Sequence, residues 1–199
     1  DERPSSVPGI VGRRQLVPFP VVGVIAPWNF PVVLSMVDLV PALMAGCGVV
    51  LKPSEVTPRY VEPLCRIFAR VPDIAAVTRI VLGAGPTGVE LIDHVDAVVC
   101  TGSVRTGRMV AEHAARRFIP AFLELGGKDP GYVRADANLE AAVDTLMDGA
   151  MYNAGQCCCG IERIYVHESL YDAFVEKAVK WVSGLKLGNP FDAATTIGP

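Results

Sequence analysis

The sequence has no excess of charge of one sign and few histidines. Eighteen Lys and Arg residues face 21 Asp and Glu residues, for a formal net charge of −3, and only three histidines occur. Nucleic acids and anionic membranes bind a concentrated basic face, so the charge balance gives no reason to expect either partner. The longest apolar stretch, residues 21–51, is interrupted by prolines, Asn29 and Asp38 at intervals too short for a membrane helix.

A secretory signal is also missing, because no basic segment followed by an apolar one opens the chain. The first residue is Asp1 and not Met, which indicates a processed chain or a piece of a longer one. Of the six cysteines, three are consecutive (157–159) and three lie in apolar runs, as core thiols do. These features favour a reducing compartment, and we expect a cytoplasmic protein.

Short apolar runs alternate with segments of helical length over the first two thirds of the chain. Strands are predicted at 21–26, 48–52, 79–82, 97–101 and 119–125, and helices at 32–45, 59–70, 87–94 and 104–116. Strands that are apolar on both faces and joined by helices indicate a doubly wound, Rossmann-like parallel α/β sheet.

The pattern restarts after residue 126. A helix is predicted at 139–152, a strand at 163–167 and a helix at 169–185, which reads as the beginning of a second α/β domain. We therefore expect a connecting arm at 1–19, a first domain at 20–125 and part of a second domain at 126–199.

Polar residues follow the first two predicted strands, where ligands of open α/β sheets bind. Asn29, within the segment PWNFP, is a neutral donor that can stabilise an oxyanion; the alternative is a capped turn before a helix. Lys52 and Glu55, within KPSE, can hold a ribose hydroxyl or a phosphate; the alternative is an ordinary turn with a helix N-cap.

Glycine turns follow the next two strands. Residues 83–88 match G-x-G-x-x-G, a pattern that lets the backbone approach a phosphate, although glycine turns between strand and helix are also common for steric reasons. The segment Thr101-Gly102-Ser103 offers a second phosphate-facing turn, with an N-cap serine as the alternative.

Glu124 ends the fifth apolar run and is followed by Leu125 and two glycines. This position suits a general base that faces a cleft, and the alternative is a buried partner for Lys128 or Arg108.

The three consecutive thiols are the most informative segment. Successive side chains of a helix or strand diverge, so at most one of these thiols is expected to act as a nucleophile. We predict no metal site, because cysteine ligands normally come as spaced pairs and the three histidines cluster with nothing. Ordinary core cysteines, or a cysteine hydrolase with a distant histidine, remain alternatives.

Taken in order, the segments PWNFP, KPSE, the glycine turn, TGSxxxGR, ELGGK and GQxC resemble the aldehyde dehydrogenase superfamily. The resemblance runs from Val21 to the LGNPFD segment near Gly188, and the separations of Asn29 from Lys52 and of Glu124 from Cys158 agree with it. Cys100 departs from the family pattern, which usually has an aromatic residue there.

The resemblance implies a mechanism. Cys158, the middle thiol, would attack an aldehyde carbonyl, while the Asn29 amide and the Cys158 backbone N–H stabilise the oxyanion. Hydride transfer to a nicotinamide would leave a thioester on Cys158, and Glu124 would activate the water that releases the carboxylic acid. The presence of this glutamate favours hydrolysis over transfer to coenzyme A.

The resemblance also implies an NAD(P) site in the first domain and a catalytic role for the second. NAD is favoured over NADP, because a glutamate at position 55 disfavours a 2′-phosphate. The cofactor contacts implied are Ile25, Ala26, Pro27, Trp28, Lys52, Ser54, Glu55, Gly85, Gly88, Gly102, Ser103 and Leu125. We further expect a fragment of a longer enzyme that forms a homo-oligomer, a dimer or tetramer; a non-catalytic dinucleotide-binding or structural protein of the same fold is the alternative.

Overall fold

The computed structural model describes residues 2–4 and 6–198, so Asp1 and Ser5 of the predicted arm, and Pro199, lie outside the described residues. The chain divides into two units, Asp1–Glu124 and Leu125–Pro199. In the first unit, β1 (Glu2–Pro4) and β2 (Val11–Arg13) form a small antiparallel pair.

A five-stranded sheet forms the centre of the first unit. Its strands are β3 (Val21–Ile25), β4 (Gly48–Lys52), β5 (Thr78–Ile80), β6 (Ala97–Gly102) and β7 (Ala121–Leu125), in the order β5-β4-β3-β6-β7. The pairings of β3 with β4, β3 with β6 and β4 with β5 are parallel. Helices connect the strands, which confirms the predicted parallel α/β sheet.

The helices cover both faces of this sheet. They are α1 (Pro31–Ala45), α2 (Val61–Phe68), α3 (Pro72–Val77), α4 (Gly85–Asp93) and α5 (Val104–Arg117). Val22 and Val24 pack with Leu39 of α1 on one face, whereas Ile25 and Val98 pack with α4 and α5 on the other. The β-branched side chains of β3 thus pack into the cores on both faces of the sheet, as expected of a central parallel strand.

Several boundaries differ from the sequence-based expectation. The helix predicted at 59–70 is a 3₁₀ turn followed by α2, and α3 was not predicted. The helix predicted from residue 87 begins at Gly85, because Pro86 has the fixed φ that suits a first helical turn. The fifth predicted strand, β7, begins at Ala121 and not at Ile119, because Pro120 has no N–H to donate to a neighbouring strand.

The second unit pairs two parallel strands with two helices. β8 (Asp129–Val133) lies beside β9 (Ile161–Val166), and α6 (Leu139–Met151) and α7 (Tyr171–Ser183) pack through a core of Val133, Val143, Met147 and Phe174. A side-chain oxygen of Asn138 accepts a hydrogen bond from the Ala141 N–H at 3.2 Å and caps α6. Within the described part of the chain, no helix is both long and apolar enough to span a bilayer.

Candidate active site

The parallel register brings the ends of three strands together. Ile25 lies opposite Lys52 on β4 and opposite Cys100 on β6. The Ala26 N–H donates to the Lys52 carbonyl at 3.0 Å, which extends the ladder by one residue. The segments predicted to bind the cofactor after β3, β4 and β6 therefore lie at one edge of the sheet, the edge where such folds bind nucleotides.

Lys52 and Glu55 form an ion pair at this edge. The Lys52 Nζ lies 3.1 Å from Glu55 Oε2, and the lysine side chain is only 6% exposed while that of Glu55 is 54% exposed. Hydrogen bonds from its own backbone N–H and from Lys52 lower the pKa of the Glu55 carboxyl. The pair therefore presents a fixed negative charge to solvent above a buried cation.

Ser54 completes a turn between these two residues. Its Oγ accepts a hydrogen bond from the Val56 N–H at 3.3 Å, and no described helix begins at this serine. The hydroxyl of Thr57 donates to the Trp28 carbonyl at 3.1 Å, so the loop after β4 is tied to the loop after β3. The turn that the alternative interpretation predicted for KPSE is present, without the N-cap.

Glycines 83, 85 and 88 occupy different environments. A side chain at Gly83 would collide with Thr87, which explains the glycine there by steric need. Gly85 begins α4, and a Cβ added to it would meet open space. Gly88 lies in the second turn of α4, where an added Cβ would come within 3.7 Å of both the Ile25 and the Lys52 side chains. Gly88 thus belongs to the same edge as the ion pair.

Ser103 is the N-cap of α5. Its Oγ accepts a hydrogen bond from the Thr106 N–H at 3.1 Å, as the alternative interpretation predicted. Gly102, the last residue of β6, faces open space. An exposed N-cap beside a bare glycine leaves room for an anion above the first turn of α5.

Asn29 does not cap the helix that follows it. The N-cap of α1 is Phe30, and no side chain makes a cap hydrogen bond there. The half-buried Asn29 precedes the N-cap by one residue.

Glu124 is exposed near the end of β7, and Leu125, the last residue of the strand, is partly buried. Ala121 and Leu123 pack against the core beneath α5, so strand alternation directs Glu124 to the opposite face, the one that α1 covers. Lys128, one partner that the alternative interpretation gave to Glu124, forms an ion pair with Glu162.

Asp38 was not predicted as a site residue from the sequence. It is the only charged residue of α1, and its Oδ2 is buried without a hydrogen-bond partner among the described residues. Burial raises the pKa of the Asp38 carboxyl, and the charge of Glu124 raises it further. A lone acid in an otherwise apolar helix was the signal that could have identified it.

Cys100 is fully buried in the core formed with α4 and α5. Burial, and secondarily the charge of Asp38, raises the pKa of its thiol to about 11. A thiol of this kind is a packing residue and a poor nucleophile at neutral pH.

The three consecutive thiols lie in the second unit, on a β-turn. The Gly160 N–H donates to the Cys157 carbonyl at 3.1 Å, which places Cys158 and Cys159 at the two central positions. Both central residues are exposed, whereas Cys157 is half-buried. The turn therefore presents Cys158 to solvent, as a nucleophile requires.

The expectation that the thiols diverge is wrong. The three sulfur atoms all lie within 4.8 Å of one another, and the Sγ atoms of Cys157 and Cys159 are 3.3 Å apart. The reason is that divergence holds in helices and strands, whereas a β-turn reverses the chain within four residues. The contact with Cys157 is the main cause that raises the pKa of the Cys159 thiol.

The backbone that leads into this turn is strained. Asn153 and Ala154 have φ values of 51° and 56°, in the left-handed region that disfavours side-chain-bearing residues, and Gly155 follows at 75°. Such strain persists only where the surroundings impose it, and it commonly accompanies functional segments. The strained residues are Asn-Ala-Gly, immediately before Gln156 and the thiols.

Known proteins resemble this chain over most of its length. The aldehyde dehydrogenase family profile matches residues 2–199. Mouse (Mus musculus) retinaldehyde dehydrogenase 3 is 41% identical over 186 residues, which are 92% of this chain and 36% of the relative. The structure of PutA from Anabaena variabilis, described as an aldehyde dehydrogenase, superposes with a TM-score of 0.96 at 52% identity, covering 100% of this chain and 42% of that one.

A third similar structure is the NAD⁺ complex of an aldehyde dehydrogenase from Bacillus cereus, with a TM-score of 0.87 and 38% identity over 90% of this chain and 37% of that one. The chain thus spans less than half the length of each of these three proteins. The fold and the family profile together define the class, and the chain belongs to the aldehyde dehydrogenase family.

Proposed function

We propose that the protein to which this chain belongs oxidises an aldehyde to a carboxylic acid with NAD⁺, through a thioester on Cys158. The observation that carries the proposal is an exposed thiol on a β-turn, at the position of the family motif GQxC, in a chain that matches the family over residues 2–199. The first unit would serve as the cofactor domain and the second as part of the catalytic domain.

The cofactor edge of the first unit has groups that suit a dinucleotide. The buried Lys52 and the ionised Glu55 offer a donor and an acceptor for ribose hydroxyls, and the bare surface at Gly85 and Gly102 admits phosphates close to two helix N-termini. A fixed carboxylate repels a 2′-phosphate, which favours NAD over NADP. When bound, the nicotinamide supplies the acceptor for hydride.

Carbon–sulfur bond formation would begin the chemistry. The Cys158 thiolate attacks the aldehyde carbonyl, and the Asn29 amide and the Cys158 backbone N–H donate to the oxygen that becomes negative. Loss of hydride from the resulting thiohemiacetal leaves the thioester. Glu124 then removes a proton from water, which attacks the thioester carbonyl and releases the acid and the Cys158 thiolate.

Further properties of the whole protein follow from the same proposal. We propose a cytoplasmic protein, because the six cysteines are free. We further propose a homo-oligomer, as the family resemblance implies. The proposed substrate is a small aldehyde.

The proposal is tested with a panel of aldehydes, NAD⁺ and NADP⁺ on the purified protein. In Glu124→Gln we expect one rapid burst of NADH, equal to the active sites, followed by slow turnover, because the thioester forms but is not hydrolysed. Glu112→Gln, at an exposed position on α5, is the matched control and keeps steady turnover. Steady turnover in Glu124→Gln would contradict the role given to Glu124.

A further inference from the structure

The proposed function uses one thiol of the turn, yet the structure brings three together. The Sγ atoms of residues 157, 158 and 159 lie within 4.8 Å of one another, with no carboxylate or imidazole in the group. The turn is held by the hydrogen bond from Gly160, and Gly160 is buried against Cys157, where an added Cβ would lie 3.2 Å from the Cys157 carbonyl. The convergence is therefore fixed by backbone geometry.

We propose that Cys157, Cys158 and Cys159 form a three-thiolate site for a soft divalent cation such as Zn²⁺, and that the bound ion blocks the nucleophile. Zinc–sulfur bonds of about 2.3 Å in a tetrahedral site separate two sulfur ligands by about 3.8 Å. The observed separations, from 3.3 Å to at most 4.8 Å, bracket that value. Side-chain rotations that move each sulfur atom by less than about 1 Å would bring all three within bonding distance of one ion.

The chemistry of the ligands selects the ion. Thiolates favour zinc, cadmium and copper(I), whereas magnesium and calcium prefer oxygen ligands. On binding, each S–H bond breaks, the proton goes to solvent and a sulfur–metal bond forms, so nothing is oxidised or reduced. Cys158 and Cys159 are exposed, which lets the ion arrive from solvent and leaves its fourth position to water.

Binding itself does not depend on the proposed function; only the inhibition rests on it. A thiolate bound to a cation donates one of its lone pairs to the metal, which makes it a weaker nucleophile, and the ion occupies the space through which a carbonyl would approach. The ion therefore competes with the aldehyde, and a chelator restores activity.

The test is a Zn²⁺ titration of the fully reduced protein against a chromophoric chelator. We expect one tight equivalent, and dissociation constants that rise by more than about tenfold in both Cys157→Ser and Cys159→Ser. Cys65→Ser, which removes an exposed free thiol of α2, is the matched control and leaves the titration unchanged. Circular dichroism of each variant checks that it folds.

A second measurement separates the two proposals. Zn²⁺ should slow NADH production by the wild type, and a chelator should restore it. In Cys157→Ser and Cys159→Ser, Zn²⁺ should have little effect on NADH production. Binding that depends on Cys158 alone, or that persists in both serine variants, overturns the three-thiolate site. Tight binding at the three thiols in a protein that oxidises no aldehyde would instead contradict the proposed function and leave the site standing.

Discussion

Asp38 provides a prediction that follows from burial and charge. In Asp38→Asn, the carboxylate on α1 is replaced by a neutral group of the same shape. The wild-type Oδ2 is buried with no hydrogen-bond partner among the described residues, and the charge of Glu124 lies near it. The ionised form of Asp38 therefore destabilises the folded state at neutral pH.

The size of the effect follows from this environment. An unsatisfied buried polar group costs about 1–3 kcal/mol, and the lower end applies because Asp38 is only partly buried and asparagine keeps an amide in the same place. We expect Asp38→Asn to stabilise the protein by about 1 kcal/mol at pH 7. For a chain of this size that corresponds to about 2–4 °C in Tm.

The pH dependence has a definite sign. The folded pKa of Asp38 is raised above its ordinary value, so the folded state binds this proton more tightly than the unfolded chain does. The penalty is fully present above the folded pKa and disappears as the pH falls through it. The gain from Asp38→Asn should therefore be full at pH values above the folded pKa and shrink as the pH falls through it.

Urea denaturation of wild type and Asp38→Asn across this pH range measures the gain. Part of it should vanish when Glu124→Gln is the background, because the carboxylate that opposes Asp38 has been removed. A loss of stability on Asp38→Asn, or a gain that does not change with pH, would refute the reasoning.

Three further predictions concern the cofactor edge, the free thiols and the second unit. Glu55→Gln should lower the KM for NADP⁺ by about fivefold, or about 1 kcal/mol, because a half-exposed carboxylate is removed from the proposed ribose site. Glu62→Gln on α2 should leave this KM unchanged. Iodoacetamide near pH 8 should modify Cys65 rapidly and leave Cys100 unmodified in peptide mass spectra, since Cys100 is fully buried with a pKa of about 11; equal labelling would show that the sheet opens. Gly131→Ala should destabilise the protein by about 1–3 kcal/mol in thermal denaturation, because its Cβ would lie 2.6 Å from Leu146; no change would mean that Leu146 moves freely.

The parallel sheet could be predicted because its strands are apolar on both faces. Val22, Val24 and Ile25 occupy both cores, so hydrophobic runs bounded by turn residues identified β3 and its neighbours. β8 was missed because its sequence, Asp-Pro-Gly-Tyr-Val, contains residues that usually mark turns. It forms because it pairs in parallel with β9, and Gly131 leaves room for Leu146 of α6; both partners are distant in the sequence.

The candidate site was predicted in part. Lys52 and Glu55 were named from their place after a strand, and the structure adds the ion pair between them. Asp38 was missed because its burial, and secondarily its charge interaction with Glu124, arise from the packing of elements that are far apart in the chain. The convergence of the thiols was missed because it depends on the turn closed by Gly160, whereas the argument from successive side chains assumed regular secondary structure.

The central claim is that Cys158, and neither adjacent thiol, carries the acyl group. The most direct measurement is intact-mass and peptide mass spectrometry of Glu124→Gln quenched after one turnover with aldehyde and NAD⁺. We expect one acyl adduct on the peptide that contains the thiol turn. It should be retained when Cys157→Ala or Cys159→Ala is added and absent when Cys158→Ala is added. An adduct that survives Cys158→Ala, or that disappears only with one of the flanking variants, would contradict it.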